Sequence, residues 1–151
     1  MMYKTNSWDI ELNTILLDLN GTLTVAGVLD ERIPALISQL KWLWFRLVLL
    51  TGDQRGNSQQ FESLGLEVVL ASNAQEKKEF ALSCETNKTV AIGNARIDLG
   101  MFEVCKLRIA TLQWEWIHVG ILNHVDILVP GIADAFNLLI DPDIFAATMK
   151  V

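Results

Sequence analysis

Residues 15–24 run Ile15-Leu16-Leu17-Asp18-Leu19-Asn20-Gly21-Thr22-Leu23-Thr24, an apolar stretch that ends on a carboxylate and breaks into a turn. The strand predicted here, Thr14–Leu19, is apolar almost throughout, as a strand covered on both faces has to be. A carboxylate ending such a strand is costly to bury unless another group pairs with it or uses it. Asn20-Gly21-Thr22 then offers a tight turn whose backbone N–H groups suit a phosphate. Asn-Gly between two apolar runs is also the signal for a two-residue hairpin, so the segment by itself leaves both readings open.

Outward from this stretch, apolar runs alternate with amphipathic ones. A helix is expected over Ile33–Trp44, with Ile33, Leu36, Ile37, Leu40 and Trp44 on its apolar stripe. The strand Arg46–Leu50 ends in Thr51-Gly52-Asp53, and a helix over about Asn57–Leu64 stops at Gly65. Next come a strand, Glu67–Leu70, a helix, Asn73–Ser83, capped by Asn73, and a strand, Thr89–Ile92, leading into Gly93-Asn94. A helix over Ile97–Cys105, strands at Leu107–Thr111 and Val125–Val129, a helix over Ile132–Ile140 and a short helix after Pro142 complete the pattern. Trp114–His124 fits helix or strand equally. The economical packing is an α/β, three-layer, doubly wound and mainly parallel sheet of Rossmann-like form, with no large cap domain. It forms one domain over 1–151, with its core at about 14–150. Ligands in such sheets sit beyond the carboxyl ends of the strands, where Asp18, Thr51 and Gly93-Asn94 fall.

The chain has 151 residues, half of them apolar (51%), enough for a core without disulfides or structural metal. Cys84 and Cys105 match no zinc or redox spacing and read as buried free thiols, which fits a cytoplasmic setting. No secretory signal or membrane span is expected, because the longest apolar stretch, Trp42 to Leu50, is short and contains Arg46. A net charge of −6 without any basic run argues against nucleic acid as partner. It does not exclude a small phosphorylated substrate, since one bound Mg²⁺ reverses the local sign. The mean hydropathy of +0.31 and the five tryptophans point to a self-association surface or to a tryptophan-rich core.

Four stations along the chain carry candidate chemistry. Asp18 is a nucleophile or a buried acid. Thr51 and Gly52 offer a hydroxyl and backbone N–H at the next strand end, or an ordinary turn with Asp53 as helix cap. Lys77 and Lys78 supply a cation toward the sheet edge, or only a charged helix face. Asn94 and Asp98 are hard oxygen donors four residues apart that suit Mg²⁺, or simple helix caps. His118 and His124 read as structural or surface residues.

In their joint order these stations resemble the four motifs of the haloacid dehalogenase-like (HAD) superfamily, and within it the small soluble group related to the phosphorylation domain of P-type ATPases. The likeness covers roughly Thr14 to Lys150, including the closing Leu138-Leu139-Ile140-Asp141-Pro142 and Ala146-Ala147-Thr148-Met149. The resemblance implies that Asp18 attacks phosphorus to form an aspartyl-phosphate. It makes Thr51 the residue that binds the transferring phosphoryl group. Lys77, with Lys78 as the alternative, offsets charge there. Asn20, Gly21, Thr22 and Gly52 line the substrate, and Asp18, the carbonyl of Asn20, Asn94 and Asp98 hold Mg²⁺. A carboxylate is ionised at neutral pH and attacks without a base. Like charges then meet, so a metal and a lysine have to screen them.

Three departures stand out. Most phosphatases of the superfamily carry an aspartate two residues after the nucleophile, as acid and base; here that position is Asn20, and losing such a group typically costs about 10²–10⁴-fold. Ala95 and Ile97 dilute the fourth motif, and a neutral Asn94 should hold Mg²⁺ less tightly. No domain-sized insert follows the first or second motif, so the 24–30 flap or a neighbouring subunit would cover the site. Two functions follow: a slow Mg²⁺-dependent phosphohydrolase favouring small substrates with good leaving groups, or a catalytically weak phosphate-binding or regulatory module. A receiver-type phosphoacceptor ranks below both, because receivers carry their aspartate on a later strand.

Overall fold

The computed structural model describes residues 1–52 and 58–151. In chain order the strands are β1 (Met2–Lys4), β2 (Asp9–Glu11), β3 (Thr14–Leu17), β4 (Arg46–Thr51), β5 (Glu67–Leu70), β6 (Thr89–Gly93), β7 (Leu107–Thr111) and β8 (Ile127–Val129). The helices are α1 (Ile33–Trp42), α2 (Ser58–Ser63), α3 (Ala74–Leu82), α4 (Leu99–Phe102), α5 (Ile132–Ile140) and α6 (Pro142–Thr148).

Six strands form one sheet in the order β5-β4-β3-β6-β7-β8, and every neighbouring pair is parallel. The apolar runs follow from this geometry, since successive side chains of a strand point to opposite faces. Ile15 and Leu17 of β3, Leu47 and Leu49 of β4, and Val90 and Ile92 of β6 enter one core. Leu16, Val48, Leu50 and Ala91, from the alternate positions, enter the other. The first core takes in buried residues of α1, α2, α5 and α6, and the second those of α3 and α4. This is the expected three-layer, doubly wound α/β arrangement.

Chain order runs outward from β3 through β4 to β5, then jumps back to β6 on the other side of β3. The direction therefore reverses between β3 and β6, the crevice where open α/β sheets take ligands. Asp18 follows β3, and its N–H bonds the Ile92 carbonyl of β6 at 3.0 Å, so the carboxylate stands at this switch point.

Several local expectations change. The N-terminal residues, placed outside the core by sequence, form an antiparallel β1–β2 hairpin. Tyr3 is fully buried, donates its hydroxyl to the Leu139 carbonyl at 2.5 Å and packs its ring 4.1 Å from that of Phe145. Helix α1 ends at Trp42, two residues early, because Trp44 takes a left-handed turn (φ +69) that lets Phe45 reenter the core through a bond to the Leu40 carbonyl. Trp44 consequently leaves the apolar stripe and is 89% exposed. The expected helix over 97–105 is a 3₁₀ turn, Arg96–Asp98, followed by the single turn of α4. Trp114–His124 is a loop closing in a 3₁₀ segment, Val119–His124, whose Ile121 is buried in the second core. Positions 53 and 57, at the start of the expected second helix, lie outside the described residues. Both cysteines are free; Cys105 is buried, its thiol pushed up to about 12 by desolvation, while Cys84 is only half-buried. Among the described residues no helix is long and apolar enough to cross a membrane.

Candidate active site

The strand end that carries Asp18 gathers the other candidates around it. Lys77, in the first half of α3, is 1% exposed, and its ammonium donates to Asp18 Oδ1 at 2.6 Å and to Asp98 Oδ1 at 2.7 Å. Lys78, one residue on, turns outward and pairs with Glu103 at 2.7 Å. Of the two lysines, Lys77 is the one that meets Asp18. Helix α3 reaches this position because Asn73 caps it: its side-chain oxygen accepts from the Glu76 N–H.

Two carboxylates share one lysine in a buried place. Desolvation raises the Asp18 carboxyl to about 6, with the neighbouring Asp98 charge adding to the rise and Lys77 only partly opposing it. Burial by itself would lower the Lys77 ammonium, but Asp98 and Asp18 outweigh it and the net direction is upward.

Asp98, which the resemblance makes a metal ligand, is bonded to protein groups through both oxygens. It is fully buried, and besides Lys77 it accepts from the Asn94 and Ala95 backbone N–H groups, both at 2.9 Å through Oδ2. Its oxygens are thus engaged in fixing the lysine and the 94–95 turn. Gly93 makes the approach feasible, since a Cβ there would lie 2.4 Å from Asp98 Oδ2.

Asn94 is also buried. Its Oδ1 accepts from the Thr22 hydroxyl at 3.1 Å and its Nδ2 donates to the Trp116 carbonyl at 2.8 Å. Gly21 holds a positive φ (+76), and any Cβ on it would fall 2.3 Å from Asn94 Nδ2, so the turn and the amide require a glycine here.

The loop itself decides between the two readings of its segment and corrects one detail. It is not a two-residue hairpin; it is a wider turn, with a bridge between Asn20 and Thr24. Nor does it present the N–H groups of Gly21 and Thr22 as a phosphate cradle. The Gly21 N–H bonds the Thr24 carbonyl at 2.8 Å, and the Thr22 N–H points to the Leu19 carbonyl at 3.4 Å. Asn20, by contrast, is exposed at the tip. Thr51 ends β4 on the strand adjacent to β3 and is buried, and Gly52 packs so closely on Ser72 that a Cβ would meet it at 3.0 Å.

Gln113 is a residue that sequence reasoning missed. Its Nε2 donates to the carbonyls of Gly21 (3.0 Å) and Thr22 (2.8 Å), while its Oε1 accepts from Ile132 N–H at the start of α5 (3.0 Å). Thr111 adds a hydroxyl bond to the Gly21 carbonyl at 3.0 Å. A lone glutamine after a strand carries no spacing signal, so only the fold reveals it.

Hard oxygen donors among the expected ligands are the Asp18 carboxylate, the Asn20 carbonyl two residues on and the Asn94 amide oxygen, which has a second lone pair beyond its bond to Thr22. Among the described residues no three His, Cys, Asp or Glu side chains gather as a metal cage. One carboxylate with neutral oxygens does not make a closed calcium or zinc site. It does fit Mg²⁺, which keeps several waters and shares itself with substrate phosphate.

No family model matches the sequence, and no curated protein matches it closely enough to count as a relative. Solved structures do match its fold. It is similar to a cobalt-bound deoxy-D-mannose-octulosonate 8-phosphate phosphatase from Haemophilus influenzae (TM-score 0.71, 19% identity, 90% of this chain and 89% of that one). It is also similar to a 3-deoxy-D-manno-octulosonate 8-phosphate phosphatase from Yersinia pestis (TM-score 0.72, 16% identity, 89% and 82%). A third, from Moraxella catarrhalis, is in complex with magnesium ion, phosphate ion and KDO (TM-score 0.71, 13% identity, 90% and 91%). At these identities the likeness is one of fold.

Proposed function

We propose that the chain is a Mg²⁺-dependent phosphohydrolase of the HAD type that works through an aspartyl-phosphate on Asp18. The single observation that carries this reading is Lys77, a fully buried ammonium held between Asp18 and Asp98 at the topological switch of the sheet. A structural core has little use for such a group, whereas phosphoryl transfer needs it to offset charge. The phosphate chemistry named for structures of the same fold supports the reading.

In this mechanism an Asp18 oxygen forms the bond to phosphorus as the bond to the leaving oxygen breaks, and the leaving group departs with the electron pair. Lys77 orients Asp18 and neutralises the charge that accumulates. Thr51 and Gly52 bind phosphoryl oxygens from the β4 end. Water then attacks phosphorus, the acyl-phosphate bond breaks, Asp18 returns as carboxylate and the water proton passes to solvent or to the released phosphate. Asp18, the Asn20 carbonyl and Asn94 would hold Mg²⁺, which when bound would supply further charge neutralisation. Asp98 acts by positioning Lys77.

Asn20 cannot give a proton to the leaving group, so turnover is slow and favours groups that leave as stable anions. The same amide favours the finer likeness to the P-type ATPase-related group, whose aspartyl-phosphate is longer-lived. The substrate is a small phosphorylated molecule. Release of inorganic phosphate from acetyl phosphate, with and without Mg²⁺, tests the proposal. Metal-dependent release that falls to background in Asp18→Asn is the expected result. Absence of release from the wild-type protein overturns it in favour of a phosphate-binding module.

A further inference from the structure

The loop after β7 leaves the sheet at the same edge as Asp18 and exposes much apolar surface: Trp114 is 65% exposed and Trp116 69%. It is bonded to the site at successive positions. Gln113 holds the Gly21 and Thr22 carbonyls, and the Glu115 carboxylate accepts from the Ala26 N–H of the flap at 3.2 Å. The Trp116 carbonyl receives the Asn94 amide at 2.8 Å, and the His118 N–H donates to the Asn94 carbonyl at 2.9 Å. The two indoles therefore stand in solvent on a segment fixed to the nucleophile loop, the flap and Asn94.

Trp116 also has φ +67, an uncommon and costly conformation for a bulky side chain. That backbone accompanies a carbonyl turned in to Asn94 and an indole left in water. Glycine would hold the same turn at less cost, so the turn does not by itself call for an indole. A planar aromatic surface on a segment bonded to Asn94 and to the loop after Asp18 is suited to stacking.

The chemistry of the centre selects what would stack. Asn20, exposed at the tip of the nucleophile loop, offers no proton, so the leaving group departs as an anion. A phenol, with a pKa of about 10 as in tyrosine, does this far more readily than an alkyl alcohol. Glu115 keeps the rim acidic, which disfavours a leaving group carrying further negative charge.

Resting on the reading of Asp18 as nucleophile, we propose that Trp116, together with Trp114, is a stacking platform for the uncharged ring of an aryl phosphate, and so sets the substrate class. The step is the one above, with an aryl oxygen as leaving atom: the O–P bond to the ring breaks, and the phenolate takes the electron pair and then a proton from water.

Two measurements test this. The first is the ratio of kcat/KM for 1-naphthyl phosphate over acetyl phosphate, in the wild type and in Trp116→Ala, Trp114→Ala and Trp116→Phe. The ratio falls roughly three- to tenfold in the alanine variants and recovers in Trp116→Phe, the size expected for one aromatic contact. The second is binding of the unreactive phenylphosphonate against methylphosphonate, by calorimetry with Mg²⁺ present. The preference for the phenyl compound is lost in Trp116→Ala. An unchanged ratio with acetyl phosphate still hydrolysed overturns the platform and leaves the proposed function standing. If no phosphate is released from either ester, the proposed function fails, and the phosphonate preference alone decides the platform: its absence in the wild type, or its persistence in Trp116→Ala, overturns it.

Discussion

Side by side in α3, Lys77 directs its ammonium inward to Asp18 and Asp98, while Lys78 reaches Glu103 over the surface at a similar distance, 2.7 Å. The geometry of the contacts is nearly the same; the surroundings are not. Side-chain exposure is 1% for Lys77 and 36% for Lys78. Water screens the outer pair and already solvates both partners, so forming the bridge changes little. The inner lysine has exchanged its hydration for two carboxylates, and among the described residues no other cation pairs with them. What separates the two is the cost of losing one partner, which an N···O distance does not report.

Lys77→Ala is the harshest way to break the contrast. It leaves Asp18 and Asp98 as two buried acids without their cation, and a loss of roughly 3–5 kcal/mol in unfolding free energy is expected. Urea unfolding at neutral pH measures it; a loss below about 1 kcal/mol would mean that water already reaches the cluster.

Asp18→Asn sharpens the picture from the other side. The folded protein raises the Asp18 carboxyl to about 6, against about 3.9 in an unfolded chain. The fold thus prefers the protonated acid: that stabilisation is complete below about pH 4 and is lost as pH rises through 6. Replacing the carboxylate by a neutral amide should therefore stabilise the metal-free protein above pH 6, by about 1–3 kcal/mol at pH 7.5. The gain should vanish near pH 4. Thermal unfolding in chelator at both pH values checks this, and a variant no more stable than wild type at pH 7.5 contradicts it. A measured gain at pH 7.5 means that Asp18 carries a stability cost, which the proposed function would retain.

Lys78→Ala is the smallest of the three. Its urea midpoint should stay within the scatter of the wild-type measurement. A resolvable loss would show that the surface pair supports α3 and would erase the contrast drawn above.

The sequence made much of this legible, for identifiable reasons. Strands buried on both faces leave unbroken apolar runs, which is why β3, β4 and β6 stood out and why their ends could be lined up. The gathering of Asp18, Lys77, Asn94 and Asp98 was legible from the order of their motifs, since each alone had an ordinary alternative. The hairpin β1–β2 was not, because three-residue strands show only one buried position each, Tyr3 and Ile10. Trp44 was misplaced because helical periodicity cannot see a left-handed residue forced by the burial of Phe45. Spacing marked Asp98 as a hard oxygen donor but could not show that Lys77 and the Asn94 and Ala95 N–H groups are partners it faces. The bonds that hold the Gly21 and Thr22 carbonyls, from Thr111 and Gln113, depended on contacts 90 to 92 residues apart in sequence.

One side chain has a consequence for motion. The amide of Gln113 answers two carbonyls of the loop after Asp18 and the first N–H of α5 with the same rigid group. Those elements cannot be released one at a time, because a rotation that frees Thr22 also frees Ile132. Opening of the loop is thereby coupled to release of the first turn of α5, while the Thr111 hydroxyl still holds the Gly21 carbonyl.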